Sequence, residues 1–427
     1  MEKTVLLIYL ITIGIRYGLR GLNLRHLKKY GDSVPAAFSG VIDSARLEKT
    51  VAYTVARSRI GLIESLLGDL LLVLFLFGGL LGLFDRWVAS FADSFMVGGL
   101  AFFLLLQLAA TFLEAPFGLY RTFVIERRFG FNTMRPGLWL ADFLKTTLLS
   151  LALLALLLAG GLSLVRLRPG DWWLWVWAFF ALASLFLIYL SPRLIEPLFQ
   201  KFEPVRSEDL EARVREMMEK AGLRVGRVLQ VDASRRSRHS NAYFTGIGRV
   251  KRIVLFDTLL EQMSQRQILA ILAHEVGHWK KGHLWKKLLL TETLSLAALY
   301  LAYRLLDWQD LPLLVGEQGL SLFARLVIVG FLASLAAVFL TPLFNWLSRR
   351  DERAADRFAC DLCEDLRALA DGLIKLAGEN LANLHPHPLY AFFYYSHPPL
   401  VDRVQCLLEA SMSAESSDRP ESPSSGF

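Results

Sequence analysis

The sequence predicts a mainly α-helical, polytopic membrane protein: seven transmembrane helices with a small α/β unit on the cytoplasmic side. Three observations predict it. The 427 residues are 54% hydrophobic with a mean hydropathy of +0.40, too apolar for an ordinary soluble chain of this length. Seven apolar stretches are long enough to cross a bilayer. One long polar insert, 199 to about 283, holds a helix signal, strand signals and a cluster of chemically active residues.

The spans fall at roughly 4–20, 61–84, 94–117, 138–164, 172–195, 284–305 and 321–344. The first has no small-residue cleavage site and is followed by basic residues, so it reads as an uncleaved span and not a signal peptide. Glu64, Asp69, Glu114, Asp142 and Glu292 lie inside spans and should face protein or a water-filled space, because ionisable groups are costly in lipid. The organisation that follows is an N-terminal membrane region, 1–198, with five spans, then a region 199–410 containing the insert and the last two. The polar tail 411–427 is expected to be disordered.

Orientation follows from lysine and arginine, which stay on the cytoplasmic side. Arg16 and Arg20 stand at the end of the first span and Arg25, Lys28 and Lys29 follow it, and Arg121, Arg127, Arg128 and Arg135 follow the third. Loop 85–93 holds only Arg86 and loop 306–320 holds no basic residue, although 165–171 holds Arg166 and Arg168. The insert and the C-terminus are then cytoplasmic. The net charge of +7 has the same origin, and no nucleic-acid partner is expected. Cys360, Cys363 and Cys406 cannot build a disulfide framework and read as structural thiols in a reducing compartment.

Within the insert, Ser207–Leu223 reads as an amphipathic helix with Ser207 as N-cap and Glu208 and Asp209 in its first turn. Val228–Val231, Asn241–Thr245 and Arg252–Phe256 read as strands. Ser264 and Gln267 form a capping-box signal that opens the next helix.

That helix contains His274-Glu275-Val276-Gly277-His278. Histidines four apart share a helix face, so both imidazoles can reach one Zn²⁺. Glu275 projects elsewhere and can take a proton from the attacking water, which makes it the candidate general base. The pattern arises by chance in roughly one such chain in a hundred. Catalytic zinc takes three protein ligands and keeps an open position. The best third candidate is Glu352, 74 residues beyond His278 in the run Ser348–Asp356. Asp356, one turn further, could accept the second N–H of a ligand histidine. From spacing alone, a charge-paired helix start explains this run equally well.

Asn241, Ala242 and Tyr243 are candidates for an edge strand to which an extended substrate could add, with an ordinary structural strand as the alternative. His283, nine residues from His274, should lie on the opposite face of a continuous helix and not ligate the same zinc. His26, His239, His385 and His387 show no metal partner in the sequence.

Several separated motifs resemble the type I CAAX prenyl proteases, membrane zinc endopeptidases of the gluzincin group that cut prenylated proteins at a C-terminal Cys-aliphatic-aliphatic-X box. They are Pro116–Glu126, Pro197–Phe202, His239–Phe244, Lys251–Leu260, the His274–His278 motif, Ser348–Asp356 and Tyr395–Arg403. The resemblance runs from about 50 to 410. It implies a zincin-like metalloprotease unit, one Zn²⁺ per chain, and helices around an internal chamber. Glu352 would be the third ligand and Asp356 would support a ligand histidine. His397 would stabilise the oxyanion, and Arg403 would be a nearby structural or electrostatic partner. By composition alone His397 is a loop histidine. The expected partners are a peptide or protein substrate, prenylated by this resemblance, and the lipid bilayer. A general membrane-protein quality-control protease would use the same chemistry. A transporter or scaffold with a structural metal site is the non-enzyme alternative.

Overall fold

A computed structural model describes residues 1–245, 250–363 and 365–417. In chain order, α1 (Glu2–Tyr30), α2 (Ser44–Phe77), α3 (Leu80–Ala89), α4 (Phe95–Tyr120), α5 (Arg127–Phe129), α6 (Pro136–Leu167) and α7 (Trp172–Leu190) come first. The polar insert folds as β1 (Phe202–Pro204), α8 (Glu208–Lys220), β2 (Arg224–Val231), β3 (Ala242–Thr245), β4 (Val250–Phe256), α9 (Asp257–Gln262) and α10 (Gln265–Lys280). Then follow α11 (His283–Leu306), α12 (Leu322–Cys363), α13 (Leu366–Glu379), α14 (Pro388–Tyr394) and α15 (Leu400–Ser417).

Among the described residues, seven helices are long and apolar enough to cross a membrane: α1, α2, the stretch Phe95–Phe129, α6, Trp172–Leu198, α11 and α12. The second differs from its expected bounds of 61–84. It starts at Ser44 and stops at Phe77, where Gly79 takes φ +79° and the chain restarts as the separate α3. A side chain is rarely tolerated at that φ, so glycine ends the helix there. The tail also differs, because α15 continues through Ser417 where disorder was expected from 411; residues 418–427 lie outside the described residues.

The chain divides into two compact units. The first comprises Met1–Gly21, Val55–Phe199 and Trp285–Pro342. Its apolar core includes Leu76, Leu81, Phe102, Phe323 and Ile328. Most of its intramembrane carboxylates are paired. Asp69 accepts from Tyr9 Oη at 2.8 Å, from Arg16 Nη2 at 2.6 Å and from the Tyr17 hydroxyl. Glu64 pairs with Arg121 at 2.8 Å, Asp142 with Lys145 at 3.0 Å, and Glu292 accepts from Ser184 Oγ at 3.0 Å. Glu114 is exposed.

The second unit comprises Leu22–Thr54, Gln200–Leu284 and the chain from Leu343 onward. Its sheet has the order β1-β2-β4-β3, with β2 and β4 parallel and β3 antiparallel to β4 in the register Ala242↔Leu255. β3 is therefore an edge strand. Ser207 caps α8 by accepting from Leu210 N, and Leu210, Val214, Met217 and Met218 turn inward at the spacing of one helix face. The capping box of Ser264 and Gln267 opens α10 as predicted. Ile268, Leu272, Ala273 and Val276 then bury that helix in a core shared with Ile253, Leu255, Leu369 and Val404. Each fully buried aliphatic side chain stabilises by about 1.5–3 kcal/mol, which fixes how α10 presents its two histidines.

Candidate active site

Two helices of the second unit meet at the histidine motif. A Cβ on Gly277 would lie 2.9 Å from Ala355 Cα and 3.0 Å from Ala355 O, so the absent side chain is what lets α10 approach α12 this closely. His274 and His278 project from one helix, and Glu352 and Asp356, also four apart, project from the other.

His274 Nε2 lies 3.2 Å from His278 Nε2 and 3.3 Å from Glu352 Oε2, and His278 Nε2 lies 3.2 Å from Glu352 Oε1. Ligands bound at about 2.0–2.1 Å in a tetrahedron stand roughly 3.3–3.4 Å apart. Each nitrogen thus stands near the separation zinc requires from the other and from one oxygen of the Glu352 carboxylate, a different oxygen for each, and among the described residues the three side chains form the one such cluster. Glu352 is 2% exposed. Its Oε2 is buried with no hydrogen bond of acceptable geometry, although His397 Nδ1 stands 2.8 Å away and Arg403 Nη1 3.6 Å away. A buried carboxylate oxygen left this way is expensive, and a cation beside it removes the cost. The donor set of two imidazoles and one carboxylate suits zinc.

A second layer orients the first. Asp356 Oδ1 is 2.8 Å from His274 Nδ1, and Arg403 from α15 grips the same carboxylate through Nε at 2.6 Å and Nη2 at 2.5 Å. Arg403 Nη2 also comes within 3.0 Å of His274 Nδ1. Since the Asp356 carboxylate can only accept, Nδ1–H donates to it, the approach of Arg403 Nη2 to Nδ1 is then a contact and not a hydrogen bond, and the Nε2 lone pair is left for a metal. Burial opposes charge on His274, yet the neighbouring Asp356 and Glu352 carboxylates outweigh that and raise its pKa, with Arg403 opposing.

His283 was expected on the far face of a continuous helix. Instead α10 stops at Lys280 and Gly282 takes φ +67°. His283 then opens α11, 3% exposed, with Nδ1 3.0 Å from His278 Nδ1 and Nε2 3.6 Å from Asp351. It lies outside the ligand cluster but touches a member of it. Neither this contact nor the Gly277 approach has a signal in sequence, because both need the helices to be placed first.

Glu275 is half-buried on α10. Asn241 is exposed and precedes β3, its Oδ1 accepting from Ala242 N at 2.9 Å; Ala242 and Tyr243 lie in β3, which packs on α10. The cysteines are free thiols outside the cluster. His239 and His385 are occupied by Asn380 and the Ser33 carbonyl, and His387 caps α14.

Two histidines from one helix, a glutamate from another and seven membrane-length helices define a class: an integral-membrane zinc metallopeptidase. Comparison with known proteins narrows it. Residues 204–411 match the description "Peptidase family M48", and residues 23–201 match "CAAX prenyl protease N-terminal, five membrane helices". An Arabidopsis thaliana "CAAX prenyl protease 1 homolog" is 33% identical, covering 88% of this chain and 90% of the relative. A Homo sapiens protein with the same description is 30% identical, covering 90% of each. The crystal structure of S. mikatae Ste24p superposes with a TM-score of 0.87 at 26% identity, covering 94% of this chain and 98% of that one. The chain belongs to peptidase family M48, as a relative of the CAAX prenyl proteases. It is a multi-pass membrane protein and a zinc-dependent endopeptidase, and the transporter or scaffold alternative falls with that result.

Proposed function

We propose that His274, His278 and Glu352 hold the zinc, that Glu275 is the general base, and that the enzyme cleaves near the C-terminus of prenylated proteins at the cytoplasmic face of a membrane. The two Nε2 atoms 3.2 Å apart, each within 3.2–3.3 Å of one oxygen of the Glu352 carboxylate, are the observation that carries the site. When bound, zinc supplies a Lewis acid for the scissile carbonyl and for the attacking water. Glu275 takes the proton of that water as its oxygen bonds to the carbonyl carbon, and returns it to the amine as the C–N bond breaks. His397, beside Glu352, donates a hydrogen bond to the carbonyl oxygen while it gains charge. Asp356 and Arg403 keep His274 in the tautomer that offers Nε2, and His283 does the corresponding work for His278.

Asn241, Ala242 and Tyr243 are suited to receive the substrate. β3 is an edge strand packed on α10, so an extended peptide added to it would run past the histidine motif with its backbone paired. The prenylated class of substrate is supported by the descriptions of the relatives, and the cytoplasmic orientation by the basic loops after the first and third spans.

The test is zinc content together with cleavage of matched prenylated and unprenylated peptides by wild type and Glu275→Gln. Expected are one zinc per chain in both proteins, and cleavage by wild type alone with preference for the prenylated peptide. Zinc loss in Glu275→Gln would contradict the base assignment. Equal cleavage of both peptides would replace the prenylated substrate by a general membrane-protein quality-control role.

A further inference from the structure

His397 is the member of the site with the least packing of its own: its side chain is 64% exposed, although Nδ1 reaches to 2.8 Å from Glu352. An exposed side chain gains little restraint from neighbours, so its position must be set through its backbone. That backbone follows directly on α14, where Ala391 O accepts from Tyr395 N at 3.0 Å and the carbonyls after it run out of helical N–H donors.

Those carbonyls are met from α12. Arg349, three residues before Glu352 and 8% exposed, donates from Nη1 to Tyr395 O at 2.6 Å, to Phe392 O at 3.2 Å and to Ala391 O at 3.4 Å. Its Cζ stands 5.7 Å from the centroid of the Phe392 ring. Asn345, one turn earlier on the same helix face, donates from Nδ2 to Phe393 O at 2.5 Å. A cation and an amide thus cover the negative end of α14. Burying a guanidinium against neutral carbonyls is a costly way to end a helix of about two turns, and its effect is to tie the His397 segment to the helix that bears Glu352.

We infer that Arg349, assisted by Asn345, is a positioning residue for His397, holding the Tyr395–Pro399 segment so that the imidazole stands beside the Glu352 carboxylate when the carbonyl oxygen acquires charge. The inference rests on the assignment of His397 as the oxyanion donor. All three carbonyls are met by the one nitrogen Nη1, placed there by the planar guanidinium, so a lysine ammonium that reaches the same point can replace part of the hold.

The test compares full-length Arg349→Ala, Arg349→Lys, His397→Ala and the Arg349→Ala/His397→Ala double variant. Each is assayed for zinc per chain, for kcat and KM on one peptide, and for backbone hydrogen exchange across 391–399. Arg349→Ala should keep wild-type zinc and a near-wild-type KM, lose kcat on the order of 10²-fold as expected for a displacement of about 1 Å, and exchange faster across that segment. Arg349→Lys should recover part of the loss. In the His397→Ala background, Arg349→Ala should cost nothing further in kcat. An equal loss with and without His397, or unchanged exchange, overturns the inference. If His397→Ala itself turns over like wild type, the oxyanion assignment falls, and exchange in Arg349→Ala alone decides whether the segment is held from α12. Should Arg349→Ala not fold, Arg349→Lys and Asn345→Ala are judged by the same criteria.

Discussion

Replacing Gly277 by alanine tests whether helix approach sets the metal centre. The new Cβ would lie 2.9 Å from Ala355 Cα, 3.0 Å from Ala355 O and 3.3 Å from Ala355 Cβ. Non-bonded carbons rest at about 3.5–4.0 Å, so α10 and α12 must part by roughly 0.6–1 Å. The obstacle is backbone on both sides, and no rotamer change relieves it. His274 and His278 ride on α10 while Glu352 rides on α12, so the parting leaves the nitrogen–nitrogen edge alone and stretches both nitrogen–oxygen edges from their 3.2–3.3 Å. Overpacking of this kind costs about 1–3 kcal/mol of stability, and a displacement near 1 Å costs turnover on the order of 10²-fold. Zinc competition against a chelator, turnover at saturating zinc and a thermal melt read the three consequences separately. Gly61→Ala is the control, because a Cβ there meets nothing within 4 Å. Wild-type zinc affinity and turnover in Gly277→Ala would refute the reasoning, since the site would then tolerate separation of its two helices.

Two other outcomes are expected. His283→Ala removes the partner 3.0 Å from His278 Nδ1 and should weaken zinc retention by about 10- to 100-fold, measured by dialysis against a chelator, with His283→Gln intermediate; unchanged retention would end its orienting role. Arg266 binds Asp365 at 2.5 and 2.8 Å and holds that carboxyl below its usual 3.8. A depressed carboxylate pKa stabilises the fold above the unfolded value and ceases to do so as pH falls through the folded one. Arg266→Ala should therefore be less stable than wild type at pH 7, by at most about 1 kcal/mol because the arginine is 51% exposed. The difference should shrink below pH 3.8 in denaturant titrations, and a gap that widens there would contradict the sign.

What could be read from the sequence is what local spacing decides. A stretch of apolar residues long enough to cross a bilayer states its own length, so seven spans were legible, and the second lost its expected end only because the glycine pair at 78–79 breaks the helix. The caps at Ser207 and Ser264 and the shared face of His274 and His278 are likewise set by helical periodicity within a few residues. Glu352 was ambiguous by spacing, because its neighbours in the chain do not reveal which helix it will face.

Tertiary structure decided the contacts between segments distant in sequence. The approach of Gly277 to Ala355, the return of His283 onto His278 once Gly282 turns the chain, and the hold of Arg349 on the end of α14 all depend on where whole helices come to rest. The sequence by itself determined which side chains could bind a metal and share a helix face, since one turn of backbone suffices for that. Only the packed structure determined which groups orient them, since a hydrogen bond between remote residues exists when the intervening core has brought its donor and acceptor to within about 3 Å.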